Sequence, residues 1–250
     1  YPFFFNAELV NEKTFSSRGA SPTLQSMFSA QELFDFNQTE HVAIFEGATH
    51  AWQVLPRLKD YLESILEPAC NASVSPLAVI GDCVFLGKGT TVESGACIEG
   101  PAIIGSNCQI RHGAYVRANV IIGDGCVVGN SSELKNSLLF NDCQVPHFNY
   151  VGDSILGHHA HLSAGVILSN LKSLPGNVMV EGLDTGLRKF GALIGDRAEL
   201  GCNSVLNPGS IIGRNSVLYP NTSWRGVLPA NHIVKTRAQQ EVMERNSSAQ

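Results

Sequence analysis

An aliphatic residue returns at every sixth position from Val74 through Ile80, Leu86, Val92, Ile98, Ile104, Ile110, Val116, Ile122 and Val128 to Leu134. Few folds can use that spacing. A helix repeats about every 3.6 residues and a strand about every 2, so neither turns one face to a core at this period. A parallel β-helix does. Three hexads close one triangular coil, each flat side is a short strand, and each aliphatic side chain points inward.

Four positions after these residues come Ala78, Val84, Thr90, Ala96, Ala102, Cys108, Ala114, Val120, Cys126, Ser132 and Leu138, ten of which are small or β-branched. A small residue there lets the chain turn a corner without crowding the coil above. Gly81, Gly87, Gly105, Gly123 and Gly129 directly follow repeat aliphatics, where turns are expected. The beat is interrupted at "QVPHFNYVGD", residues 144–153, and resumes out of phase at Leu156, Leu162 and Leu168. It returns again at Ile194, Leu200, Leu206, Ile212 and Leu218, after "LKSLPGNVMVEGLDTGLRKFGA". That segment is too long for one corner and reads as a loop projecting from the prism at about 171–190.

These signals divide the chain into residues 1–70, a mainly helical N-terminal cap; 71–223, the β-helix; and 224–250, a tail with a short helix around residues 238–244. In the cap, Ser29 and Glu32 form a capping box, and Trp52, Leu55, Leu58, Leu62 and Ile65 keep helical spacing around Pro56. The expected role of the cap is to shield the open end of the prism. The fold class is therefore mainly β.

A net charge of −5 argues against general nucleic-acid or membrane-surface binding. No apolar run approaches the ~18 residues of a membrane span. The seven cysteines are scattered, with no CxxC pair, which predicts free thiols and a reducing, cytoplasmic setting. In this acidic chain, residues 111–189 nevertheless supply Arg111, Arg117, Lys135, Lys172, Arg188 and Lys189, interleaved with His147, Tyr150, His161 and Asn170. Cations hold phosphate and an imidazole accepts a proton near neutrality. The combination suggests a phosphorylated substrate with a group to be deprotonated.

The elements "ELKNSLLFNDCQVPHFNYVGDSILG", "LSAGVILSNL" and "TGLRKFGALIGD" resemble the acetyltransferase domain of bifunctional N-acetylglucosamine-1-phosphate uridyltransferases. They are closer still to the C-terminal domains of archaeal-type sugar-1-phosphate nucleotidyltransferases. The resemblance covers about residues 71 to 234. It implies a left-handed β-helix, homotrimers with sites between subunits, and acetyl-CoA as acetyl donor to a small amino-sugar 1-phosphate, with no metal. By position it makes His147 the general base and Arg117, Lys135, Tyr150 and Lys189 the holders of the sugar phosphate. Asn170 lines the same pocket. Ala164 and Cys202 fall at cofactor contacts, and His161 stands where the bacterial enzymes normally carry an asparagine that orients the substrates. No nucleotide-binding loop of the partner domain is found, so uridylyl transfer is not expected of this chain. The alternative is a non-catalytic β-helix that binds a sugar nucleotide or assembles a nucleotidyltransferase.

The run "HHAH" at 158–161 raises zinc. Some left-handed β-helix enzymes hold zinc through histidines five apart on stacked coils, but no pair in this repeat has that spacing, and no metal is expected. Cys108 and Cys126 occupy the small inward position, where inert packing is expected.

Overall fold

The computed structural model describes residues 28–236 and 241–243. Three parallel sheets of nine, nine and eight short strands form the walls of a left-handed, triangular β-helix. Sheet I runs from Ala69–Cys70 to Val227–Leu228, sheet II from Ser73–Val74 to Ile233–Val234, and sheet III from Val79–Ile80 to Ser223–Trp224. The chain visits them in the order I, II, III, and each residue pairs with its counterpart one coil away. The hexad aliphatics from Leu86 to Leu134 line the interior, fully or almost fully buried. In the first coil Val74 and Ile80 are only partly buried.

The phase shift has a concrete origin. Ala102 pairs with Val120, but Val120 pairs with Ser137 and Leu138 with Ile155, so these coils are one residue shorter. Val145 and Val151 keep the six-residue beat inside "QVPHFNYVGD"; the inward series loses a residue at the corners on either side, giving Leu134, Leu139, Val145, Val151 and Leu156. Asn136 and Asp153 turn those tightened corners at φ of 45° and 47°, a region Asn and Asp enter at lower cost than most residues. Beyond Leu168 the register jumps, with Ile167 pairing Val205. The inserted residues form the long loop.

The loop does not project freely. Met179–Val180 and Leu183–Asp184 pair as an antiparallel ribbon, and Val178, Val180 and Phe190 are buried against the helical segment, with the Phe190 ring 5.9 Å from Trp52.

The helical segment is also placed differently from the expected end cap. Helix α1, Ala30–Leu33, is capped by Ser29, whose Oγ accepts from the Glu32 N–H at 3.4 Å. A 3-10 turn, Ala51–Arg57, contains Pro56 and runs into α2, Leu58–Ile65. Trp52, Leu55, Leu58 and Leu62 are buried as expected, while Ile65 is exposed. Their cluster includes Ile121, Leu138, Phe140, Ile155, Leu193 and Ile211, the outward side chains of sheet I and its corner. Phe34 stacks on Phe140 at 5.1 Å, and Asp196 Oδ2 accepts the Asp35 N–H at 2.7 Å. The segment is a strap laid along one wall. The reason lies in sheet I, whose outward column reads Phe85, Ile103, Ile121, Leu138, Ile155, Leu193, Ile211 and Val227 in register. An apolar wall of that length must be covered. Most of the expected tail helix lies outside the described residues, and residues 241–243 carry no helix.

Two local devices hold the coils together. Gly87 and Gly129 are needed for close approach: a Cβ on Gly87 would lie 2.5 Å from the Gly105 backbone, and one on Gly129 would overlap the Pro146 carbonyl. The small corner residues, beyond sparing room, donate to the next coil. Thr90 Oγ1 reaches Gly105 O at 2.6 Å, and the thiols of Cys108, Cys126 and Cys143 reach Gly123 O, Phe140 O and Gly157 O at 3.0–3.1 Å. The hydrogen-bonded Cys126 neighbour and burial push the Cys108 thiol up, and burial does the same for Cys126. All seven cysteines are free. Exposed Cys70, Cys83 and Cys202 are expected to react rapidly with a disulfide reagent, half-buried Cys97 more slowly, and the three buried thiols only on unfolding. Counting thiols released before and after denaturant checks this.

Candidate active site

The corner between sheets II and III carries His147. Its backbone N–H donates to Asn149 Oδ1 at 3.0 Å, and its side chain is exposed. The carbonyl of His147 accepts from Gly165 N, that of Ala164 from Asn203 N, and that of Cys202 from Asn221 N, all at 2.8–3.0 Å. These equivalent corner bonds put His147, Ala164 and Cys202 at the same place on three successive coils. At a strand spacing of about 4.8 Å, Ala164 is one step and Cys202 two steps from the imidazole along the edge. A shallow cleft of about 220 Å³ flanks them on sheet II, lined by Ser163, Glu199, Gly201, Tyr219 and Pro220 among others.

Sheet III begins just past this corner. Tyr150 pairs with Glu133, and Glu133 with Tyr115, so all three face outward in one column. Lys135 pairs with Gly152, one step further along the strand, and Arg117 N donates to the Leu134 carbonyl beside it. Lys135, Tyr150 and Arg117 are each half-buried. The phenol of Tyr150 lies over Gly152: a Cβ there would come within 2.7 Å of both Tyr150 Oη and Asn170 Nδ2. Asn170 Nδ2 in turn donates to Asp153 Oδ2, and Asn136 Nδ2 donates to Asp153 Oδ1 at 2.8 Å. The far edge of sheet III is thus a polar column fastened through the buried Asp153. Lys189 bridges Leu171 at the foot of the inserted loop and is exposed.

The electrostatics are legible in the pairings. Arg117 Nη1 meets Glu133 Oε1 at 3.0 Å, and this carboxylate holds the guanidinium pKa up. Burial raises the Tyr150 pKa first, and the negative charges of Glu133 and Asp153 raise it further. At neutral pH the phenol therefore keeps its proton and is a hydrogen-bond donor.

The structure joins Arg117, Lys135, Tyr150 and Asn170 on one wall, with His147 at its near edge and Lys189 at its far edge. It does not bring His161 to them. His161 pairs with Gln144 and Glu199 on sheet II, around the corner. Another cleft, of about 350 Å³, lies elsewhere, between the end of α2 and sheet I; its titratable lining is Glu40, His41, Glu67 and Asp124, a poor match for a phosphate.

One positioning residue escaped the sequence reading. Asn149 is 2% exposed; its Oδ1 holds the His147 N–H, its Nδ2 donates to Ser163 O at 2.7 Å, and its N–H donates to Ser132 Oγ at 3.2 Å. It ties three coils together and holds the His147 backbone. The signal was an asparagine in a corner slot that holds Ala114 and Ser132 in the coils before it. Asn149→Ala is expected to destabilise the chain by about 1–3 kcal/mol, through the buried donors and acceptors it orphans. Equilibrium unfolding in urea measures this.

The family model described as the GMPPB C-terminal domain matches residues 98–184. The bifunctional protein GlmU of Methanococcus maripaludis strain S2 is 35% identical over 175 residues, covering 69% of this chain and 42% of that protein. Its counterpart from strain C5 is 32% identical over 209 residues, covering 82% of this chain and 51% of that protein. The chain thus spans about half the length, or less, of these curated relatives. Among solved structures, PerB from Caulobacter crescentus, in complex with CoA and GDP-perosamine, is 20% identical, with a TM-score of 0.33 over 72% of this chain and 59% of that one. The matched middle coils and the two GlmU relatives show that this chain's left-handed, hexapeptide-repeat β-helix is related to part of the bifunctional sugar-1-phosphate nucleotidyltransferase/acetyltransferases.

Proposed function

We propose that this chain is an N-acetyltransferase that moves acetyl from acetyl-CoA to the amine of an amino-sugar 1-phosphate, of the glucosamine-1-phosphate type, to supply nucleotide-sugar synthesis in the cytoplasm. One observation carries the reading. An exposed imidazole shares an edge with two positions assigned to the acetyl donor, beside a wall that presents a lysine, an arginine and a protonated phenol.

The chemistry follows from that order. The sugar phosphate lies on sheet III, held by Lys135, Arg117, Tyr150 and Lys189, with Asn170 lining the pocket; this directs its amine to the near edge. The nitrogen bonds to the thioester carbonyl carbon, the C–S bond breaks, and the proton lost by the amine passes to His147. Among the described residues no acceptor takes the Ala164 N–H, which leaves it free to meet the developing oxyanion. Cys202, one coil further, lies along the donor's path.

His161 enters through assembly. With sheet I covered by the strap, sheets II and III are the walls left for neighbours. A homotrimer that sets sheet II of one subunit against sheet III of the next adds His161 to the site. No metal is needed for this step. Nucleic acid and membranes are not partners in this reading; among the described residues no helix is long and apolar enough to cross a membrane.

A thiol-release assay with acetyl-CoA and either glucosamine-1-phosphate or galactosamine-1-phosphate tests the proposal. Release with one of them is expected. Its absence with both would favour the second reading, a non-catalytic β-helix that binds a sugar nucleotide, to which the separation of His161 from sheet III lends weight. Arg117→Ala is expected to raise KM for the sugar phosphate about tenfold with little change in kcat, since a partly exposed charge-assisted contact is worth roughly 1.5 kcal/mol. Its ion pair with Glu133 is 37% and 35% exposed, so stability should fall by less than about 1 kcal/mol.

A further inference from the structure

We propose that Asp142, His158 and His159 bind one divalent transition-metal ion, which ties two successive coils together at the corner between sheets I and II. The corner lies on a different edge from His147. His159 N donates to Asn141 O at 3.2 Å, so His159 occupies the place on its coil that Asp142 occupies on the coil before. Both residues sit at left-handed φ, 62° for Asp142 and 56° for His159. The two imidazoles, adjacent in sequence, lie on the same side of the corner with ring centres 4.1 Å apart.

The ligand atoms converge on one oxygen. His158 Nδ1 is 3.6 Å and His159 Nε2 is 4.0 Å from Asp142 Oδ2. All three ligand atoms lie within 4.8 Å of one another. A tetrahedral ion with bonds of about 2.0–2.2 Å places its ligands roughly 3.3–3.5 Å apart, so closure needs only small side-chain rotations. The three groups are suitably mounted. The His158 side chain is 11% exposed and its backbone N–H is held by Asp196 Oδ1 at 2.9 Å, giving one fixed ligand. His159 and Asp142 are 53% and 43% exposed and free to adjust. Without an ion, a proton on His158 Nδ1 is directed at Asn141 O, 3.0 Å away; an ion binds that nitrogen once the proton leaves and the ring turns from the carbonyl toward Asp142 Oδ2. Two imidazoles and one carboxylate suit zinc, cobalt or iron, with a fourth position left to water.

The sequence concealed this set because the third ligand is an aspartate one shortened coil upstream. A search for histidines paired across full-length coils passes over it.

Titration of the purified chain with cobalt(II) chloride, followed by displacement with zinc chloride, tests the site. One equivalent per chain is expected, with visible d–d absorption and no thiolate-to-cobalt band, which separates this site from the exposed cysteines. Asp142→Asn and His159→Asn should each weaken binding at least about tenfold. Asparagine is accepted at both left-handed corners, so circular dichroism should be unchanged. Zinc should raise the melting midpoint of the parent chain by a few degrees and leave that of His159→Asn where it is. The proposal is overturned if the parent chain binds no cobalt at micromolar concentrations, if the absorption is that of thiolate ligands, or if both variants bind as the parent does.

Discussion

His147→Ala is expected to lower kcat for the proposed acetyl transfer by about 10²–10⁴-fold, the usual share of a positioned base. An amine at neutral pH is largely an ammonium and cannot attack a thioester until it sheds a proton. Among the described residues the only other histidines on the same edge column or the walls it joins are His112 and His161, one two coils earlier and one on the neighbouring strand of sheet II, paired with Gln144 at the end opposite His147. No neighbour can therefore stand in for the lost imidazole. The fold should survive. The His147 side chain is exposed, and the bonds that fasten its corner run through its backbone and Asn149. The prediction has two readouts, steady-state thiol release and the melting midpoint. An unchanged rate would remove His147 from the mechanism, and a collapsed midpoint would make it a structural residue.

Phe140→Ala is expected to cost about 3–5 kcal/mol of stability, the range for truncating a fully buried aromatic. Phe140 is 0% exposed at the turn that leaves sheet I, where Phe34 stacks on it and Phe45 lies 6.1 Å away. Truncation leaves a hole between two layers held apart by their own backbones. Asn141 N still donates to Gln38 O at 3.0 Å, and Asp196 still receives Asp35, so the strap cannot simply sink to fill it. Chemical denaturation measures the loss. A change below about 1 kcal/mol would show that the strap contributes little to the stability of the prism.

The interior was readable because one side chain in six must be apolar and nothing else explains that spacing. The strap's position was harder to read, though its signal was present. Ile103, Ile121, Leu138, Ile155, Leu193 and Ile211 form an outward apolar column, but they become a column only when coil length is known, and the coils change length at Asn136 and Asp153. The site divides in the same way. His147, Ala164 and Cys202 could be named from local motifs, and stacking then placed them on one edge. Asn149 makes its contacts to neighbouring coils, through Ser132 and Ser163, and one-dimensional spacing does not display those. His161 lies on the neighbouring strand of the same sheet as the strand that His147 closes, but it pairs with Gln144 at that strand's opposite end.

A solenoid whose turns touch only their neighbours frays from its ends, one turn at a time. Here residues 28–65 lie across the turns from Ile121 to Ile211. Those turns cannot open separately without first releasing the covering segment. Amide hydrogen exchange should therefore show a gradient at both ends of the chain and, between them, a single block that opens as one unit.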